Sequence, residues 1–260
     1  MKIGIIGEGA IGRYVAEALQ QRGWGPHAVL ARSAQPKDTS LADVVRVTSV
    51  TELPAEIALV LDCGGHAALT QHGPALLARG TDVITLSLGA LADASLAETL
   101  TQAAQSGGAQ LHLASGAIGA LDSLRAAKVG GVKEVTYIGR KPPLGWQGSQ
   151  AEAQLDLGSL SAPTVHFEGT ARQAALSYPK NANVAAAVAL AGTGFDETRV
   201  KLVADPMISA NIHEVQATGA FGQFSFRIEG SALPDNPRSS ALAAMSMVAA
   251  VERLLSPMSM

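Results

Sequence analysis

The sequence contains little of what several classes of protein require. Aromatic residues make up 4% of its 260 residues, charged residues make up 16%, and Cys63 is the single cysteine. One cysteine excludes an internal disulfide and any metal site built from several cysteines. The histidines and carboxylates show no spacing typical of metal ligands either, so we expect no metal.

Charge and hydropathy exclude two further kinds of partner. The formal net charge is −3 and the basic residues form no block, so the sequence shows no surface for a phosphate backbone. No uninterrupted apolar run reaches the length of about 18 residues that a membrane-spanning helix needs. Residues 1–7 favour a β-strand over a secretion signal. We therefore expect a cytoplasmic protein that binds neither nucleic acid nor membranes.

Small and aliphatic residues are abundant. Hydrophobic residues make up 47% of the chain, 27 residues are glycine, and the mean hydropathy is +0.21. With so few aromatic residues the core must be aliphatic, which suits helices packed on a buried parallel sheet. Strand-like and helix-like segments alternate through the first half, which predicts right-handed βαβ connections. These are strands at 2–6, 27–31, 57–62, 81–88 and 110–114 and helices at 11–22, 66–79 and 94–106.

The second half has a different pattern. Three strand candidates, 198–204, 208–218 and 223–229, follow one another with short connections, which predicts a mixed, mostly antiparallel sheet. Further strands are predicted at 134–140 and 165–169, with helices at 180–191, after Pro179, and at 239–255. We predict an α/β protein in which residues 1–112 and 237–260 form a Rossmann dinucleotide-binding domain. Residues 113–236 are then a mixed α/β domain for substrate binding and dimerisation.

A glycine-rich turn lies between the first predicted strand and the first predicted helix. Gly7, Gly9 and Gly12 match the pattern G-x-G-x-x-G, with Ala10 and Ile11 between the last two glycines. The first glycine permits a tight turn, the second lets a pyrophosphate approach the backbone, and the third lets the helix pack on the strand. The free N–H groups of the helix N-terminus attract the phosphates. The turn therefore predicts binding of NAD or NADP.

The end of the second strand normally selects between the two cofactors. An acidic residue there would bind the ribose of NAD, but this chain has Arg32 and Ser33. Both side chains can hold a 2′-phosphate, which favours use of both NAD and NADP. Arg32 can equally be a surface residue that stacks on the adenine.

Two later strand ends are expected beside the nicotinamide half of the cofactor. Cys63 and Gly64 follow the third predicted strand, and Ser87 lies near the end of the fourth. We interpret Cys63 as a small packed residue and not as a nucleophile, because no base can be assigned to it. His66 is interpreted as a helix cap or a surface group.

Three polar segments of the second half stand out. They are residues 115–122 (SGAIGALD), residues 178–185 (YPKNANVA), and residues 204–206 (ADP) followed by 211–214 (NIHE). Together with the glycine turn, and with residues 236–240 (NPRSS), they resemble the L-aspartate dehydrogenase family along most of the chain.

The resemblance implies an activity and a set of site residues. The family oxidises L-aspartate with NAD or NADP and can supply iminoaspartate to NAD biosynthesis. By resemblance, His213 is the catalytic histidine, Asn211 lies beside it in the substrate site, and Ala117 and Asn183 contact the cofactor. Related dehydrogenases use the sheet of the second domain as a dimer interface, so we expect a homodimer.

Part of this assignment follows from the residues themselves. Asn211 and His213 are two positions apart on a predicted strand, so their side chains share one face. An isolated histidine is more often structural, and we interpret the remaining ones in this way: His27, His72, His112 and His166. Oxidation of an amino acid needs a proton acceptor at the amine, and a histidine suits this role.

The two carboxylates of aspartate need hydrogen-bond donors. The candidates are Asn211, Lys180 and the N–H groups after Ser115 and Gly116. Lys180 can instead be a solvated lysine at a helix start. Two other readings stay open: a reductase of another imine or carbonyl, of the dihydrodipicolinate or homoserine type, and a non-catalytic protein that senses dinucleotides.

Overall fold

The computed structural model describes residues 1–35, 41, 44–179, 181–233 and 236–258. The chain divides into two compact units, Met1–Ala114 with Ala243–Met260, and Ser115–Leu242. These boundaries lie a few residues beyond those expected from the sequence. In the described part of the chain no helix is long and apolar enough to cross a membrane.

The first unit is built around a six-stranded parallel sheet. The strand order is β3-β2-β1-β4-β5-β6, which is the order of a Rossmann fold. Its strands are β1 (Lys2–Ile6), β2 (Ala28–Leu30), β3 (Val45–Val47), β4 (Ile57–Asp62), β5 (Asp82–Thr85) and β6 (Leu111–Leu113). The predicted fold of this half is confirmed.

Helices alternate with these strands. They are α1 (Ala10–Gln20), α2 (His66–Ala78) and α3 (Ala94–Gly107), and the C-terminal α7 (Ala241–Leu255) lies almost entirely in the same unit. Val15 and Leu19 are fully buried on one face of α1, as the helical spacing predicts. Met247 and Val251 of α7 are also fully buried, so this helix belongs to the core of the first unit.

The second unit contains a mixed five-stranded sheet. The strand order is β11-β10-β7-β9-β8, in which β7 and β9 are parallel and the other neighbours are antiparallel. The strands are β7 (Val132–Lys141), β8 (Thr164–Thr170), β9 (Arg199–Ala204), β10 (Asn211–Gly219) and β11 (Gly222–Gly230), with a small pair, β12 (Ala232–Leu233) and β13 (Asn236–Ser240). The helices are α4 (Leu121–Gly130), α5 (Ala171–Ser177) and α6 (Asn183–Ala191).

The structure differs from the sequence-based expectation at short elements. Helix α6 begins at Asn183 and not at position 180, because the chain first turns over the Tyr178 carbonyl, which accepts hydrogen bonds from the backbone N–H groups of Asn181 and Ala182. Strand β3 and helix α5 were not predicted, since three and seven residues show too little periodicity. Residues 236–240 form β13, so the helix expected from position 239 begins at Ala241.

The strand predicted at 81–88 is also shorter than expected. It ends at Thr85 and is followed by a 3₁₀ helix, Leu88–Ala92. The Thr85 and Ser87 hydroxyls both donate hydrogen bonds to the Asp62 carboxylate, and the Ser87 backbone N–H donates to the Thr85 hydroxyl. These bonds turn the chain out of the strand.

Candidate functional site

The glycine turn of the first unit has the geometry that a dinucleotide needs. Gly7 adopts a φ of +88°, which favours glycine. A Cβ atom at Gly12 would overlap the carbonyl oxygen of Gly7, so helix α1 can approach the strand only with glycine there. A Cβ atom at Gly9 would meet nothing within 4 Å. The backbone at Gly9, the N-cap of α1, therefore faces open space, and Ala10 and Ile11 begin the helix.

A cavity of about 680 Å³ lies at the carboxyl ends of β1, β2 and β4. This edge of the sheet, where the strand order reverses, is where open α/β sheets bind ligands. Its walls include Gly7, Gly9, Arg32, Cys63 and Gly64, as the sequence predicts. Residues that the sequence analysis did not assign to the cofactor also line it: Glu8, Arg13, Gln71 and His72. The size, position and glycine lining of this cavity fit NAD or NADP.

The adenosine end of this region carries a buried ion pair. Arg46 of β3 lies 2.7 Å from the Glu8 carboxylate, and both side chains are almost buried. The Arg46 guanidinium also donates to the backbone carbonyl of Ser33. The Ser33 hydroxyl accepts the backbone N–H of Gln35, whereas Arg32 is exposed at the cavity wall. Of the two side chains predicted to bind a 2′-phosphate, Arg32 and Ser33, only Arg32 is among the residues that line the cavity.

Ser87 has a different environment from the one expected. It is buried, it is not among the residues that line the cavity, and its hydroxyl donates to Asp62 at 2.7 Å. Asp62 also accepts the N–H of Gly64 and is completely buried, and this burial raises the pKa of its carboxyl group. Ser87 therefore supports the strand ends behind Gly64 and offers its hydroxyl to Asp62.

Cys63 packs as the sequence interpretation expects. Its backbone N–H donates to the carbonyl of Ile6, and its Cβ atom faces Gly12. Burial raises the pKa of the thiol, and the charge of Asp62 raises it further. The thiol thus stays protonated, which argues against a nucleophile.

The second unit places His213 at one end of its sheet. His213 lies on β10 opposite Gly139 of β7, and its side chain is 4% exposed. The Tyr137 hydroxyl, two residues along β7, lies 2.7 Å from Nδ1 of His213. Tyr137 is itself fully buried, so this contact fixes the orientation of the imidazole.

Gly139 makes this contact possible. A Cβ atom at position 139 would lie 2.7 Å from the Tyr137 hydroxyl oxygen and 3.2 Å from its ring. Only glycine at position 139 therefore leaves enough space for the Tyr137 hydroxyl to reach His213. Neither Tyr137 nor Gly139 was assigned to the site from the sequence. In a sequence, a tyrosine of the site that lies on a buried strand looks the same as an ordinary core residue.

Lys141 lies at the same end of the sheet. It is the last residue of β7, 8% exposed, and its ammonium nitrogen lies 5.2 Å from the centre of the Trp146 ring. Burial lowers its pKa to about 8. A Cβ atom at Gly145 would lie 3.1 Å from Cβ of Lys141 and 3.8 Å from Oδ1 of Asn211. Lys141 and Asn211 thus flank Gly145, and the sequence had suggested only Asn211.

The environment keeps His213 neutral. Burial lowers its pKa to about 3, and the positive charge of Lys141 contributes to the shift. At neutral pH the imidazole therefore has a free lone pair, the form that accepts a proton.

A second buried histidine lies in an aromatic cluster of the same unit. Nδ1 of His166 lies 3.2 Å from the Tyr178 hydroxyl, and its ring contacts that of Trp146 edge-on at 4.4 Å. The indole N–H of Trp146 donates to the carbonyl of Val203. The cluster therefore holds the turn around Trp146, and with it one wall beside Lys141, as expected for a structural histidine.

The remaining predicted residues lie in this unit or outside the described part. Ala117 is buried, Gly116 has a φ of +70°, and Ser115 is half-buried just ahead of helix α4. Asn183 is the first residue of α6. Lys180 lies outside the described residues. The roles of these five residues stay predictions.

The Rossmann sheet and glycine-lined cavity of the first unit define the class as a dinucleotide-binding protein. Comparisons with known proteins specify the family. Residues 122–254 match the family model for the C-terminal domain of aspartate dehydrogenase, and residues 7–114 match the NAD-binding domain of homoserine dehydrogenase. The chain belongs to the aspartate dehydrogenase family, and it is an NAD(P)-dependent oxidoreductase that acts on an amino acid.

Individual relatives agree with the family models. The L-aspartate dehydrogenase of Ruegeria pomeroyi is 53% identical over 97% of this chain and 92% of its own length. That of Ralstonia nicotianae is 45% identical over 96% of both chains. The crystal structure of aspartate dehydrogenase from Thermotoga maritima superimposes with a TM-score of 0.81 at 30% identity, covering 100% of this chain and 99% of the other. The predicted family, fold class and cofactor type are confirmed.

The role of Gly139 can be tested by adding one methyl group. We expect Gly139→Ala to displace the Tyr137 hydroxyl from His213 and to lower the free energy of unfolding by about 1–3 kcal/mol, as overpacking does. Imidazole ¹⁵N shifts of His213 and urea unfolding measure the two effects. Gly130→Ala is the control, because a Cβ atom there meets nothing within 4 Å. If the Tyr137–His213 bond survives in Gly139→Ala, the account of Gly139 is wrong.

The two buried histidines predict acid sensitivity. The folded-state pKa of His166 is lowered by burial to about 4 and that of His213 to about 3, below the ordinary value of 6.5. Below pH 6.5 the unfolded chain binds protons that the folded chain does not, so stability is full above that pH and falls as the pH decreases. Each histidine contributes a slope of about 1.4 kcal/mol per pH unit.

Urea unfolding at several pH values between 7 and about 5 checks this expectation. His166→Gln should reduce the slope of the free energy of unfolding against pH by the contribution of one histidine, about 1.4 kcal/mol per pH unit. His27→Gln, at an exposed position, should leave the slope unchanged. An unaltered slope in His166→Gln would show that His166 is protonated in the folded protein.

Proposed function

We propose that the protein is an NAD(P)-dependent L-aspartate dehydrogenase. It oxidises L-aspartate through iminoaspartate to oxaloacetate and ammonia, and the reaction is reversible. The observation that carries this proposal is the buried, neutral His213, held by Tyr137 at the same end of the sheet as Lys141 and Asn211, in a chain 53% identical to an L-aspartate dehydrogenase.

The chemistry begins with deprotonation of the substrate amine. When bound, NAD(P) supplies the hydride acceptor for the hydrogen on Cα of aspartate. Loss of that hydride requires a neutral amine, so the ammonium group must first give up a proton. The Tyr137 hydroxyl can accept from Nδ1–H of His213. In the tautomer that makes this bond, which we propose is the reactive one, Nε2 keeps its lone pair and accepts the proton of the amine.

The same histidine serves the hydrolytic half of the reaction. His213 passes its proton to solvent and then takes a proton from the water that attacks the imine carbon of iminoaspartate. The resulting carbinolamine is protonated on nitrogen and loses ammonia, which takes the C–N bond electrons, while the carbinol hydroxyl gives up its proton to form the carbonyl group. Oxaloacetate remains. Asn211, the N–H groups after Ser115 and Gly116, and Lys180 are the donors proposed for the substrate carboxylates.

The cofactor is held by the glycine turn in this proposal. Gly7, Gly9, Ala10, Ile11 and Gly12 cradle the pyrophosphate at the start of α1, and Cys63 and Gly64 form the adjacent wall. Ala117, Asn183 and Ser87 stay in the proposed cofactor set on sequence grounds. Arg32, with Ser33 beside it, accepts the 2′-phosphate, so that both NAD and NADP are used.

The biological setting is also part of the proposal. We propose a cytoplasmic homodimer whose iminoaspartate is available to NAD biosynthesis. The resemblance to the aspartate dehydrogenase family is the support for each of these statements.

Aspartate turnover is the direct test. We expect aspartate-dependent reduction of NAD and of NADP at alkaline pH, followed by the absorbance of the reduced nicotinamide. His213→Ala should lower kcat by about 10²-fold or more, the contribution of a general base, with the Kd of the cofactor unchanged. His27→Ala, an exposed histidine, is the control.

Two outcomes would contradict the proposal. Faster turnover of another imine or carbonyl substrate would favour a reductase of the dihydrodipicolinate or homoserine type. Tight cofactor binding without turnover of any amino acid would favour a dinucleotide sensor.

The cofactor preference has its own test. We expect Arg32→Ala to raise KM for NADP by about 5- to 10-fold, the value of a partly solvated contact between a cation and a phosphate, with little change in KM for NAD. Arg22→Ala is the matched control, because Arg22 is an exposed arginine paired with Glu252. An equal change for both cofactors would show that Arg32 contacts the adenine and not a phosphate.

A further inference from the structure

We propose that Lys141 binds a carboxylate group of the substrate and makes the site selective for dicarboxylates. The inference rests on the proposed function, which it deepens by naming the residue that recognises the anionic part of the substrate. It comes from the position of Lys141 in the second unit. The sequence alone did not single out this residue.

The first observation is a buried cation with no anionic partner. Lys141 is 8% exposed, and none of the carboxylates that the structure describes lies within ion-pair distance of its ammonium nitrogen. Asp205, whose backbone N–H donates to the Lys141 carbonyl, has a carboxylate that pairs instead with Arg140 at 2.9 Å and accepts the backbone N–H of Met207. Burying an unpaired ammonium is costly, so such a group is retained where a ligand supplies the opposite charge.

The second observation is the set of groups around the ammonium. The face of the Trp146 ring lies 5.2 Å from Nζ, which stabilises the cation without neutralising it. Gly145 has no side chain, and the space at its Cα is bordered both by the Lys141 side chain and by Asn211: a Cβ atom there would lie 3.3 Å from Cδ of Lys141 and 3.8 Å from Oδ1 of Asn211. An ammonium and an amide that border the same space offer a carboxylate a charge-assisted hydrogen bond and a second donor.

The third observation is the electrostatic link to His213. Among the described residues, the titratable and charged groups near Lys141 include His213 on β10, Arg140 beside it on β7, and Asp205 in the loop after β9, which is paired with Arg140. His166 contacts the same Trp146 ring as the Lys141 ammonium. The charge of Lys141 helps to lower the pKa of His213. A carboxylate bound to Lys141 offsets that charge, so His213 becomes more basic when substrate is present. Lys141 therefore couples recognition of the substrate to acceptance of its proton.

The protonation state of Lys141 gives the proposal a measurable signature. Burial lowers its pKa to about 8, so the free protein carries the cation below that pH and loses it above. Carboxylate binding should accordingly weaken as the pH rises through about 8. An arginine at this position stays charged throughout this range.

The test measures binding of succinate, a dicarboxylate that has no amine to oxidise. Calorimetry with the full chain saturated with NAD(P)H compares the wild type with Lys141→Met, Lys141→Arg and the control Lys201→Met, which removes a surface lysine of the same sheet. We expect Lys141→Met to weaken succinate binding by about 10- to 100-fold, the value of a hydrogen bond to a charged group. The Kd of NAD(P)H and the binding in Lys201→Met should not change.

The pH dependence separates recognition from a structural role. We expect succinate affinity to fall above about pH 8 in the wild type and to stay level in Lys141→Arg. The proposal is overturned if folded Lys141→Met binds succinate as tightly as the wild type. If Lys141→Met does not fold, wild-type affinity that is constant between about pH 7 and 9.5 overturns it instead.

The proposed function and this inference can fail separately. A wild type that binds succinate through Lys141 but does not oxidise aspartate would contradict the proposed function alone. A wild type that oxidises aspartate, with succinate binding that is insensitive both to Lys141→Met and to pH, would contradict the inference alone.

Discussion

The hydrogen bond between the Tyr137 hydroxyl and Nδ1 of His213 is the constraint on which the candidate site of the second unit depends. Both rings are buried, so the imidazole cannot turn to water and must keep one orientation. The bond exists because strands β7 and β10 pair Gly139 with His213 and leave the space over the glycine to the tyrosine. The strand register therefore fixes the orientation of the His213 imidazole, and burial keeps this imidazole neutral.

Both units place polar groups in apolar surroundings and differ in how these groups are satisfied. In the first unit Asp62 is buried, and two hydroxyls and a backbone N–H donate to it, so it holds the strand ends in place. In the second unit Lys141 is buried without such a partner in the described part of the chain. Desolvation costs free energy for both groups. The buried Asp62 carboxylate stabilises the fold through its hydrogen bonds, whereas for the buried Lys141 ammonium we propose an anionic ligand.

Much of the fold and part of the site could be predicted from the sequence. The glycine turn was recognised because its spacing is local, and the alternation of strands and helices gave the Rossmann half. The period of a strand predicted that Asn211 and His213 share one face, whereas their assignment to the site came from the resemblance to the family. Tyr137 and Lys141 were missed, since they reach the site through pairing with residues about 70 positions away. The hydrogen bond from the Ser87 hydroxyl to Asp62 could not be predicted, because a strand end does not reveal which neighbouring side chain accepts from it.

The sequence by itself determined the class of fold and the glycine turn after the first strand, and it placed Asn211 and His213 on one face of a strand, because each of these depends on residues close together in the chain. The tertiary structure decided which side chains surround that histidine, which charges are paired and which pKa values are shifted. Those properties depend on burial and on contacts between distant strands, and neither is encoded in local spacing. The structure also shows where some of the few aromatic residues lie. Three of them contact the two buried histidines: Tyr137, Trp146 and Tyr178.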